Sequence, residues 1–153
     1  MIVVSDTSVI TSLIHIEQLV LLRELYGQVL IPAAVQAELA RTHQSLPSFL
    51  ETRAATDRHA IQQLTSELDL GEAEAIVLAR ELHADLLLID EKLGRLVAVR
   101  EGLAITGLMG ILLEGKNRGL ISSVRDVVSQ LESRAGFYVS KSVKAEAFQL
   151  AGE

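Results

Sequence analysis

Two short apolar runs, far apart in the chain, each end in an aspartate: Ile2-Val3-Val4-Ser5-Asp6 and Leu86-Leu87-Leu88-Ile89-Asp90. Runs this short, continuous and branched read as strands buried on both faces, the mark of a parallel sheet covered by helices. In such a sheet, ligands gather in the crevice outside the carboxyl ends of the strands. Asp6 and Asp90 both stand at that end. The two strands therefore suggest one acidic site assembled from distant parts of the sequence.

Other elements fit the same plan. Ser8 to His15 and Glu17 to Tyr26 read as helices, the second closed by Gly27. Gln28 to Ile31 reads as a strand, and Pro32 opens a helix reaching about Arg41. Residues 42–56 predict a loop and then a short helix, and Ile61 to Leu68 fits helix or strand. The strongest helix spans Glu72 to His83, with apolar residues around most of its circumference. After the 86–89 strand come a helix over 91–100, a strand from Leu103 to Thr106, and helices from Gly107 to Leu113, from Ile121-Ser122 to Arg134, and over 140–150. Strands alternating with helices imply an α/β fold with a parallel sheet, and no linker divides residues 1–153 into more than one domain.

Composition narrows the chemistry. There is no Cys, which excludes a thiolate zinc site and a Cys nucleophile. Aromatic residues are 3% with no Trp, which weakens any reading built on stacked bases or aromatic cages. No apolar run reaches the ~18 residues that span a membrane. The first apolar run lacks a preceding basic region and breaks at Ser5-Asp6, so it does not read as a signal peptide. A soluble cytoplasmic protein with no membrane partner is expected. The net charge of −6 is unevenly spread. Residues 1–91 carry fourteen Asp/Glu and five Lys/Arg, whereas residues 92–144 carry four and nine. An acidic half for cations beside a basic half for phosphates suits a metal-dependent phosphodiesterase.

The candidate ligands are carboxylates. Asp6 and Asp90 end strands, and either suits a helix cap as well. Glu38 lies on the helix after the second strand and can reach the same crevice. Glu72 and Glu74 open the strongest helix about 200° apart around its axis, so only one can face a given pocket. The other is expected to face solvent or a cation. Carboxylates without His or Cys suit a hard cation, Mg²⁺ or Mn²⁺. Thr7 and Ser8 are placed to fix Asp6 or a metal-bound water.

Taken in order, several pieces resemble the PIN-domain nucleases, and within them the VapC-like toxins of toxin–antitoxin pairs. They are Val-Val-Ser-Asp6-Thr-Ser, Pro32-x₅-Glu38-Leu, Gly71-Glu72-Ala-Glu74-Ala-Ile, Leu-Leu-Leu-Ile-Asp90-Glu-Lys-x-Gly-Arg95 and Ile105-Thr-Gly-x-x-Gly-Ile-Leu. The resemblance implies a three-layer PIN-like fold with a central parallel sheet flanked by helices. It implies a divalent-metal-dependent endoribonuclease using Asp6, Glu38, Asp90 and Glu72, with Glu74 as rival to Glu72. Leu88 and Ile89 stand where the family often has a hydroxyl residue before its last Asp. Lys92 and Arg95 are candidates for contacting substrate phosphate or for neutralising Glu91. Expected partners are RNA, a small antitoxin protein and a second copy of the chain. Two other readings are open: a non-catalytic PIN-like scaffold for protein or RNA, and an aspartyl-phosphate phosphatase or receiver with Asp6 as acceptor.

Overall fold

The computed structural model describes all 153 residues. Its elements in chain order are β1 (Val3–Ser5), α1 (Thr7–His15), α2 (Val20–Tyr26), β2 (Val29–Ile31), α3 (Ala33–Ala40), β3 (Leu50–Thr52) and α4 (Arg58–Leu64). Then follow α5 (Leu70–Glu81), β4 (Leu86–Leu88), α6 (Lys92–Arg100), β5 (Ile105–Thr106), α7 (Leu108–Asn117), α8 (Val124–Arg134) and α9 (Lys141–Leu150). The strands make one parallel sheet in the order β3-β2-β1-β4-β5.

Side chains alternate between the faces of a strand, and this alternation builds two cores. Val3, Val29, Ile31 and Leu88 point into a core completed by α1, α2, α7 and α8. Val4, Leu30, Leu87 and Ile89 point into the other, completed by α4, α5 and α6. The sheet is thus the middle of three layers, which explains why β1 and β4 are apolar on both faces. Helix starts follow the local chemistry. Asp6, Asp57, Asp69, Ser123 and Ser140 each accept a backbone N–H in the first turn of the helix they precede. Gly27, at φ 73°, ends α2 in a conformation that disfavours a Cβ.

Residues 50–52 correct the sequence reading: they form the edge strand β3, not part of a loop and short helix. Only Leu50 of the three is buried, so the apolar signal is one residue long. Backbone bonds secure the strand instead, Val29 N to Phe49 O at 2.9 Å and Arg53 N to Ile31 O at 2.9 Å. Of the ambiguous segment Ile61 to Leu68, residues 61–64 are helical as the end of α4 and 65–68 are not in a helix or strand.

Glu153 ties the last segment to the body. Its carboxylate accepts from Val124 N (2.7 Å), Ser123 Oγ (2.9 Å), Arg125 N (3.1 Å) and Lys116 Nζ (3.3 Å). Desolvation pushes this carboxyl up, but the four donors outweigh it and hold it down at about 2. No helix is long and apolar enough to cross a membrane.

Candidate active site

The strand order makes β1 and β4 neighbours, and the helices after them leave toward opposite faces. α1 buries Val9, Ile10 and Leu13 in the first core, whereas α6 buries Val97 and Ala98 in the second. Such a switch opens a crevice at the carboxyl ends of the two strands. Asp6 N donates to Leu88 O at 3.0 Å, so the residue after β1 is locked to the end of β4.

A pocket of about 130 Å³ sits in this crevice and has no hydrophobic residue in its lining. Asp6, Thr7 and Ser8 come from the start of α1, and Glu38 from α3. Asp69 and Glu72 come from the start of α5, and Glu91 from the residue before α6. No Lys or Arg lines it.

Asp6 is 1% exposed. Its Oδ1 accepts from Val9 N (3.2 Å) and its Oδ2 from Ser8 Oγ (3.1 Å). Burial pushes the Asp6 carboxyl up to about 7, the Val9 and Ser8 bonds oppose this, and the charges of Asp90 and Asp69 add to it. Glu72 is pushed up to about 8 by burial, then by a hydrogen bond with Asp69 and the charges of Asp69, Asp6 and Glu91. The carboxylates also crowd against glycines. A Cβ at Gly71 would lie 2.6 Å from Glu38 Oε1, and one at Gly94 would lie 2.5 Å from Glu72 Oε2. Thr7 Oγ1 is buried without a hydrogen-bond partner.

Two sequence candidates lie elsewhere. Asp90 does not line the acid pocket. Its Oδ1 accepts from Leu108 N at 3.0 Å, so it caps α7 rather than the helix that follows it. Asp90 borders an adjoining groove of about 380 Å³ with Lys92, Arg95, Leu96, Val99 and Ile105. Burial pushes the Asp90 carboxyl up, while the Leu108 N–H and Arg95 pull it down. Glu74 is 6% exposed and accepts from Ala34 N at 3.0 Å. It supplies the cap that Pro32 cannot give to α3. The expectation that the Glu facing away from the pocket meets solvent or a cation is therefore corrected: Glu74 is buried on a backbone N–H.

The sequence model of one family, described as DUF3368: PIN domain, matches residues 2–153. The chain belongs to the PIN-domain family. No curated protein and no solved structure matches it. PIN domains are commonly nucleases and usually use divalent metals.

The donor set of this PIN domain fits such a cation. All the acids offer oxygen, two are driven toward protonation by burial and mutual repulsion, and a buried hydroxyl lacks a partner. A bound Mg²⁺ or Mn²⁺ relieves each of these. No three side chains of His, Asp or Glu are already arranged around one ion position. Asp6, Glu38 and Glu72, which share the pocket, are the residues that would hold such an ion. Asp69 and Glu91 also line the pocket of this PIN domain and escaped the sequence reading. The available signal was the Asp69-x-x-Glu72 spacing, an N-cap aspartate that brings its own oxygen to the place where it sets the helix.

Proposed function

We propose that this PIN domain is a divalent-metal-dependent endoribonuclease of the VapC type, acting on RNA in the cytoplasm and restrained by a small antitoxin protein. The observation that supports this reading most is the pocket of five acids without a basic residue, at the switch point of the sheet. Asp6, Glu38 and Glu72 would hold Mg²⁺ or Mn²⁺, with Asp90 beside them. When bound, such an ion would make hydroxide available near neutral pH for attack on a phosphodiester and would offset charge on the phosphate.

The chain's own residues prepare that chemistry. Ser8 fixes one Asp6 oxygen and the α1 backbone fixes the other, so Asp6 is a rigid anchor. Glu38 is half-buried and lines the pocket, and in this reading it would orient the attacking water or a second ion. The unpartnered Thr7 hydroxyl can orient that water. Ordinary cleavage assays test the reading. Single-stranded RNA should be cut with Mn²⁺ and left intact with EDTA, and Asp6→Ala or Glu72→Ala should abolish cutting. Cleavage by Asp6→Ala at the wild-type rate would overturn the site. One observation favours a second reading, a non-catalytic scaffold: no ready ion cage exists. Calorimetry showing no Mn²⁺ binding, together with no cleavage, would favour it.

A further inference from the structure

The sequence spreads candidate RNA contacts over a whole basic half, but the fold pairs five of its nine cations with acids. Arg100 pairs with Glu67, Lys116 with Glu153, Arg118 with Glu114, Arg134 with Glu17, and Lys144 with Glu132. Arg125 stacks on Phe148, its guanidinium carbon 4.2 Å from the ring centre. Among the cations of this half, Lys92 and Arg95 share two properties: neither makes an ion pair, and both line the groove that Asp90 borders. That groove has an aliphatic wall of Leu96, Val99 and Ile105, of which Leu96 is 60% and Val99 59% exposed. Asp90 also links it to the acid pocket, because the next residue, Glu91, lines that pocket.

Resting on the nuclease reading, we infer that this groove is the substrate subsite next to the cleavage point. Lys92 and Arg95 grip the phosphate one or two nucleotides from the one over Asp6, and the aliphatic wall carries the intervening nucleoside. The volume of about 380 Å³ lies at the lower end of small-ligand sites, so it suits one nucleotide of a single strand. An anion is the occupant that the two free cations complement, and a phosphodiester strand is the anion that the neighbouring acid pocket would act on. With few free cations, RNA binding should depend only weakly on salt, in contrast to a broad basic face.

The test uses a fluorescent single-stranded RNA oligonucleotide, with anisotropy in EDTA and cleavage in Mn²⁺. Lys92→Gln with Arg95→Gln should weaken binding on the order of tenfold, flatten the salt slope by about 1.4, and raise KM with kcat nearly unchanged. Arg125→Gln with Lys141→Gln, at cations outside the groove, should leave all three as in wild type. Equal loss in both double variants would overturn the subsite, as would an unaltered salt slope and KM at Lys92 and Arg95. A dimer in light scattering that Leu96→Glu makes monomeric, with RNA binding intact, would also overturn it and make the groove a protein interface. Wild-type cleavage with no role for Lys92 and Arg95 sinks the subsite alone. No cleavage and no binding by wild type sinks the nuclease reading, and this inference with it.

Discussion

Replacing Asp6 by Asn should make the metal-free protein more stable, and increasingly so as pH rises. The carboxyl moves from 3.8 to about 7 on folding because it is buried at the end of β1. A carboxyl raised in the native state favours the fold below the unfolded value. That contribution is lost as pH climbs through the folded value. Between about pH 5 and about pH 8 the wild type should lose roughly 2–3 kcal/mol through this one group. Asn carries no such burden and keeps the capping oxygen for Val9 N. Comparing the variant with wild type at both pH values cancels any fixed loss at the cap. The assay is thermal or denaturant unfolding in EDTA. The advantage of Asp6→Asn should grow by roughly 2–3 kcal/mol from the acid to the alkaline buffer. That corresponds to roughly 5–10 °C for a chain of this size. An advantage that is flat with pH would refute the claim that Asp6 is a desolvated acid awaiting a cation.

Other outcomes follow from neighbouring groups. Mn²⁺ at ~100 times its Kd should raise wild-type stability by about 2.7 kcal/mol near the alkaline end, and Asp6→Asn should respond far less. Glu74→Ala should cost about 1–3 kcal/mol in denaturant unfolding, because the half-buried Ala34 N–H loses its partner and the buried Glu74 side chain leaves a gap. Its cleavage rate per folded molecule should equal that of wild type, which separates it from Glu72. Glu153, with its carboxyl lowered from 4.5 to about 2, stabilises the fold above the unfolded value and stops doing so as pH falls toward the folded one. Glu153→Gln should therefore lower the melting temperature at neutral pH and lose that effect in strong acid.

The parts of the fold that were legible in the sequence are those whose signal is local. β1 and β4 are buried on both faces, so unbroken aliphatic runs announce them, and their following acids mark the carboxyl end. β3 was hidden because an edge strand with one buried residue needs little apolar pattern and draws its stability from backbone bonds to β2. The aim of the acids was less visible. Asp90 turns to a helix that begins at Leu108, and Glu74 turns to one that begins at Ala33. Neither partner is near in sequence. The same holds for the basic half, where pairs such as Arg134 with Glu17 and Arg100 with Glu67 join distant residues. Charge counts give the number of cations, but only tertiary contacts say which remain free.

The glycines facing the acids have a practical bearing. Gly71 lies against Glu38, and Gly107 against Asp90, with an added Cβ falling 2.6 Å and 2.5 Å from a carboxylate oxygen. At Gly71 the obstructing atom is the tip of the Glu38 side chain, which can swing aside while the backbone stays, whereas Asp90 Oδ1 is held by Leu108 N. A single methyl group at Gly71 would re-aim Glu38 while leaving every ionisable group in the chain. The aim of an acid in this centre can thus be changed with its charge kept, the complement of Asp6→Asn, which removes the charge and keeps the shape.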